Sequence, residues 1–496
     1  MPRTNINRGR DQILGDSVEV NNVGRDQVQQ NFVNNSFSCE SFLPLLVMRV
    51  SDRSCLADTT RLQDAVAGVG ASYSSQKQFD RGPECLEGTR VEIIKAILDW
   101  LASKDRSSPL CWLSGAAGVG KSSIAMTIAK SCEGKGLASS FFFFRPDPKR
   151  NNPSAFALSI AHDLAERMPF ARGYINERIA KHPMILEASM EDQFRELVFK
   201  PCVRWRQLRR LMSKLSLMPK EPNLVIIDGL DECSDEDTQR HILSIILSSY
   251  KQSRHFPLRF LICSRPEAWI REAFDEKDFR ERTQHFPLND KWSPNRDIER
   301  YYRHEFEKIR KSPQFSRLPF PEVWPSQEDL EFLVDKSSGQ FVYATTIVKI
   351  VKSRGANPLD QLSRILSYTL ANPSRLFASI DILYHMILSD HPTPEQLLPV
   401  LAAIFILPPH GPSSPEFIEL ILELPAGEAD IILRPMHSVL NICNADVSIT
   451  TYHASFMEFL YDKSRSKCFY INASAQCDFL AQRWIQALRP MNQPSL

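Results

Sequence analysis

Residues 113–123 read LSGAAGVGKSS, and this stretch decides how the rest of the chain is read. Gly115, Gly120, Lys121 and Ser122 fit the spacing G-x-x-x-x-G-K-[ST]. Cradling an anion needs backbone N–H groups turned inward and a helix N-terminus facing the phosphates. Gly115, Gly118 and Gly120 permit that turn, and Ala116, Ala117, Val119 and Ser123 complete the candidate phosphate-binding run. Lys121 supplies a point charge for the β- and γ-phosphates, and Ser122 a hydroxyl for Mg2+.

The flanks supply the context such a loop requires. PLCWLSG reads as a buried strand feeding the loop, and KSSIAMTIAKSC as a helix leaving it. Upstream, VEIIKAILDWLAS places Ile93, Ile94, Ile97, Leu98 and Leu101 on one helical face. Downstream, GLASSFFFFRP is too apolar to face water on either side, so its four phenylalanines are read as core. NLVIIDGLDECSD and LRFLICSRPE give a third and a fourth strand. Strands alternating with helical stretches predict an α/β P-loop NTPase core, a parallel sheet with helices on both faces. Beyond about residue 285 strand signals become rare and amphipathic helices take over, as in DIERYYRHEFEKIRK. From about 380 to 470 helices mix with the β-prone run VSITTYH, the pattern of a winged-helix unit.

Three carboxylates and an arginine stand at the predicted strand ends. Asp228 closes an apolar strand, where one carboxylate suits a water-mediated contact to Mg2+. Asp231 and Glu232 follow; either orients or deprotonates an attacking water, or caps the next helix. Ser264 and Arg265 end the next strand, on the edge where ligands collect in parallel sheets. An arginine there either reports on a γ-phosphate or pairs with a carboxylate.

Bulk properties narrow the classes. A chain of 496 residues is long enough for about three domains. Net charge is +1, so no global field draws it to nucleic acid or anionic lipid, and the basic run at 204–210 is read as a solvated helix face. Eleven scattered cysteines, odd in number and never spaced C-x-x-C, argue against a disulfide framework and against a zinc site. The start, MPRTNINRGRDQ, has no apolar signal core, and the longest apolar runs fall short of the ~20 residues a bilayer crossing needs. The expectation is a cytoplasmic, reduced chain without a membrane span. Within the first 37 residues Gly9-Arg10-Asp11-Gln12 returns as Gly24-Arg25-Asp26-Gln27, in a polar tail that is either disordered or a pair of stacked β-arcs.

In order, CLEGTR, CWLSGAAGVGKSSIAMTIAK, SSFFFFRPD, LVIIDGLDEC and FLICSRPE resemble the NACHT module of fungal NOD-like receptors, signal-transduction ATPases of the STAND class. LRPMHSVLNI and TYHASFMEFLYDKSRSKCF are similar to the winged-helix end of those proteins, so the resemblance covers about residues 80 to 470. It implies an ADP-bound resting state, exchange for ATP with Mg2+, slow hydrolysis, and assembly into a homo-oligomeric signalling platform. By residue it gives phosphate and Mg2+ to Lys121 and Ser122, Mg2+ to Asp228, hydrolysis to Asp231 or Glu232, and the sensor role to Arg265. It also gives His453 the β-phosphate of ADP. The adenine-side proline of many relatives has no match near Gly339-Gln340-Phe341. The domain reading is a tail at 1–37, a helical lead-in at 38–80, a NACHT P-loop domain at 81–285, a helical domain at 286–378, a winged-helix domain at 379–470 and a C-terminal helix at 471–496. No period of 20 to 50 residues appears, so the repeat sensor common in relatives is expected to be missing, truncated away or supplied by another protein. Against the switch stand two other readings, a P-loop phosphotransferase and a scaffold that holds nucleotide without turnover.

Overall fold

The fold is described from a computed structural model for residues 60–75, 84–145, 147–212, 222–353, 356–371, 378–406, 414–436, 438–441, 449–451 and 453–488. The tail with its GRDQ repeat, and most of the lead-in before 60, lie outside the described residues.

Five parallel strands form the central sheet: β1 (Leu110–Ser114), β2 (Leu137–Phe142), β3 (Leu224–Asp228), β4 (Arg259–Ser264) and β5 (Thr283–Pro287). Their spatial order is β2-β3-β4-β1-β5. Strand periodicity then decides which side chain faces which layer of helices. Leu110, Trp112, Phe141, Val225, Ile227, Phe260 and Ile262 point to one face. Cys111, Leu113, Phe142, Leu224, Ile226, Leu261 and Cys263 point to the other. Both faces are therefore buried, which is why these strands read as continuous apolar runs rather than alternating ones. The four phenylalanines at 141–144 are core, as expected, with exposures of 5% or less. Burying each contributes about 1.5–3 kcal/mol.

The first face is covered by α4 (Phe156–Arg167), α5 (Glu236–Gln252) and α6 (Ala268–Asp275), with α1 (Thr60–Val66) at its margin. The second is covered by α2 (Val91–Ala102) and α3 (Lys121–Ser131), through Ile93, Ile97, Ile124 and Ile128. Helices dominate after the sheet: α7 (Pro294–Arg310), α8 (Gln327–Ser337), α9 (Phe341–Val351), α10 (Pro358–Ala371), α11 (Ala378–Ser389), α12 (Pro394–Ile406) and α13 (Pro415–Leu422). A short antiparallel pair, β6 (Leu440–Asn441) with β7 (Thr450–Thr451), precedes α14 (Ala454–Tyr461) and α15 (Ala473–Leu488). One continuous apolar cluster runs from Ile298 to Leu480 through these helices. The α/β P-loop core is thus followed by a helical half with its own core. Among the described residues, no helix is long and apolar enough to cross a membrane.

The fifth strand differs from expectation. TQHFP carries no apolar run because three of the five side chains of β5 are exposed, whereas β2 at the opposite edge is buried throughout. It is held by pairing with β1 and by His285, whose ring stacks on Trp112 at 4.2 Å.

Candidate nucleotide-binding site

Strand order sets the site. β4 lies between β1 and β3, and the register pairs Ser114 with Ser264 and Asp228 with Cys263. The three carboxyl ends finish level, so the loop after β1, the acid ending β3 and the arginine following β4 meet at one edge. This is the position at which open parallel sheets bind ligands.

The loop between β1 and α3 makes its turn on glycine. Gly118 has φ +74° and Gly120 has φ +94°, left-handed values that L side chains rarely adopt. Gly120 caps α3 in that conformation, so the first N–H groups of the helix open toward the loop. Lys121 folds back over it, and its Nζ donates to the carbonyls of Gly115 and Ala116 at 2.7 and 2.8 Å. Burial pushes the Lys121 ammonium below its usual range; Asp231 and Asp228 pull the other way, and Arg265 adds to the push. A glycine-turned loop, a helix start and a lysine at its centre fit a bound phosphate chain. Ala116, Ala117, Val119, Ser122 and Ser123 occupy the loop and the first turn of α3.

Asp228 is 1% exposed at the end of β3. Gly229 then turns the chain at φ +70° into a short 3-10 turn, Leu230–Glu232. Asp231, 3% exposed, meets Arg265 twice. It accepts the backbone N–H of Arg265 at 2.9 Å and pairs with its Nε at 3.2 Å. Arg265 is thus paired with a carboxylate on the same sheet edge. Glu232 accepts the backbone N–H of Arg145 at 3.2 Å.

His453 stands at the start of α14, where its Nδ1 accepts the N–H of Ser455 at 3.1 Å and meets the Ser455 hydroxyl at 2.7 Å. Accepting at Nδ1 puts the proton of the neutral ring on Nε2. The Ser455 hydroxyl is also 2.8 Å from that of Tyr384, so α14 is fastened to α11 at this point.

Sequence reasoning missed several residues here. Arg90, buried and left-handed at φ 57°, donates to the Val119 carbonyl at 2.8 Å and lies over the Phe341 ring at 4.9 Å. The Val342 N–H donates to the Gly118 carbonyl at 3.1 Å. The segment lacking the expected proline is thus the one that touches the loop. Arg145 donates to the Asp231 carbonyl at 2.8 Å. Glu458 pairs with Arg265 at 2.8 Å. A charge inside the apolar run HASFMEFLY was the available signal for Glu458.

A parallel sheet ending in this loop, with an acid and an arginine on the neighbouring strand ends, defines a P-loop nucleotide-binding domain. Residues 89–265 match the family described as Nephrocystin 3, N-terminal. That span contains the loop, Asp228, Asp231, Glu232 and Arg265, and stops well short of His453 and Glu458. No curated protein matches the chain. Among solved structures, a chain of Drosophila ORC bound to poly(dA/dT) DNA and Cdc6 matches over 90% of this chain and 67% of its own. Its identity is 8% and its TM-score 0.23, a likeness that carries no argument about this protein.

Proposed function

We propose that the chain is a nucleotide-operated switch of the STAND/NACHT type, akin to fungal NOD-like receptors. It rests with ADP bound, exchanges it for ATP with Mg2+, hydrolyses ATP slowly, and signals by opening and homo-oligomerisation. On this reading residues 81–285 are the nucleotide module, 286–378 and 379–470 the helical and winged-helix parts of a regulatory arm, and 471–496 the part that contains α15.

Lys121, with the backbone of 115–123, would hold the phosphates; Ser122 and Asp228 would hold Mg2+, which supplies charge neutralisation between phosphate oxygens. Arg265 would sense the terminal phosphate, and the Nε2–H of His453 would donate to the β-phosphate of ADP. Asp231 is turned toward Arg265, so Glu232 is the better candidate for orienting water, once its hold on Arg145 is released. Slow turnover in the closed state follows.

The observation that carries the reading is the bond from Val342 to Gly118. The helical half grips the phosphate loop itself, so loop and arm are positioned to respond to one ligand. Light scattering in ADP and in a non-hydrolysable ATP analogue tests the proposal. A monomer in ADP and a larger assembly with the analogue are expected; one unchanged mass, with phosphate passed rapidly to a small acceptor, would overturn it.

A further inference from the structure

α14 has one charged residue, Glu458. Around it Phe456, Phe459 and Leu460 are buried, with exposures of 1% or less, and fasten the helix into the core of the helical half. The Glu458 side chain is 26% exposed and reaches across to the sheet edge. There its Oε1 lies 2.8 Å from Nη2 of Arg265 and 3.7 Å from Nη1 of Arg145. The other side of the Arg265 guanidinium, Nε, belongs to Asp231 at 3.2 Å. Two carboxylates and two guanidiniums therefore close a neutral cluster beside Lys121. Asp231 comes from the same edge as Arg265, whereas Glu458 comes from the arm.

From this arrangement we infer that Glu458 is the residue that makes the site discriminate nucleoside diphosphate from triphosphate. It covers with its own carboxylate the end of Arg265 that a terminal phosphate would take. The inference rests on the nucleotide-switch reading and adds a positioning residue that acts through Arg265. A diphosphate stops short of Arg265 and leaves the pair intact. A triphosphate brings a third anion to a guanidinium that already holds Asp231 and Glu458, and it meets the Glu458 carboxylate at the same end with strong repulsion. Either the triphosphate is rejected or α14 leaves, taking the arm with it. Differential contact of this kind is what lets a ligand bias a two-state element. Arg145 meets the same carboxylate oxygen and spreads the pair over two strand-end loops.

The test is the ratio of ATP to ADP affinity, by calorimetry on the full chain with Mg2+, for the wild type, Glu458→Gln and Glu458→Lys. Glu458→Gln keeps the shape and removes the charge. It is expected to leave ADP affinity within about twofold and to raise relative ATP affinity about tenfold, the scale of one half-buried charge contact. Glu458→Lys is expected to raise it further. An unchanged ratio in both variants, with ADP binding intact, would overturn the inference. Loss of ADP binding in Glu458→Gln would overturn it too, because the side chain would then be supporting the diphosphate site. A wild type that binds neither nucleotide would instead sink the switch reading, and this inference with it.

Discussion

The backbone N–H of Val342 donates to the carbonyl of Gly118 at 3.1 Å, so the start of α9 lies directly on the phosphate loop. A β-carbon at Gly118 would stand 2.8 Å from Cβ of Val342 and nearer still to its Cγ1, on a backbone at φ +74°. Gly118→Ala should therefore separate loop from helix, at a cost of about 1–3 kcal/mol. Stopped-flow release of a fluorescent ADP analogue should quicken at least tenfold. An unaltered release rate would mean that α9 has no hold on the ligand.

Lys121→Ala should abolish nucleotide retention while leaving the apo fold standing. The ammonium is already disfavoured by its burial, and its partners are loop carbonyls rather than a carboxylate. Wild-type protein at 100 times the dissociation constant of ADP gains about 2.7 kcal/mol of stability from the ligand. The variant should show no such upward shift in Tm. A retained shift would remove Lys121 from the site.

Asp231 and Glu232 should separate by phenotype. Asp231→Asn disturbs the grip on Arg265 and should cost roughly 1–3 kcal/mol of stability, seen by denaturant unfolding. Glu232→Gln should leave stability nearly unchanged and lower the steady-state ATPase rate at least tenfold. The reverse pattern would exchange their roles.

His453 caps α14, and two substitutions divide that observed role from the proposed one at the nucleotide. Asparagine can still cap α14, whereas alanine loses the cap at about 0.5–2 kcal/mol. His453→Asn should hold its Tm yet release ADP faster, because the Nε2 donor is gone. If only His453→Ala speeds release, the histidine serves the helix and not the nucleotide.

A pH dependence should arise at the edge strand. Stacking on Trp112 takes one face of the His285 imidazole out of water while its edge stays exposed, and this desolvation holds it below its ordinary 6.5; Asp275 pulls the other way, and the Ser114 hydroxyl lies 2.8 Å from Nε2. The unfolded chain therefore takes up this proton first as the pH falls. The stability it supports is complete above about 6.5 and is lost as the pH drops from there through the lower folded value. His285→Phe keeps a ring on Trp112 and should flatten that part of the profile, measured by urea unfolding from pH 7.5 to 5.

Much of this architecture could be read in advance, for a physical reason. Strands buried on both faces must be apolar throughout, so β1 to β4 announced themselves, and the glycine loop fixed which of them came first. β5 did not, because TQHFP is largely exposed and draws its support from a stacked ring on another strand. Lys121, Asp228 and Arg265 were legible because each sits at the end of a recognisable strand or the start of a helix. Glu458 was not. Its meaning lies in a partner 193 positions away (458 − 265), and no local pattern states which two surfaces meet. The same holds for Val342 on Gly118. The GRDQ repeat at 9–27 lies outside the described residues.

The most direct test of the central claim is to denature the purified protein and separate whatever nucleotide it releases. A closed switch predicts ADP at close to one equivalent per chain. Protein that emerges with no nucleotide, and takes up none when Mg2+ and ADP are added, would contradict the account.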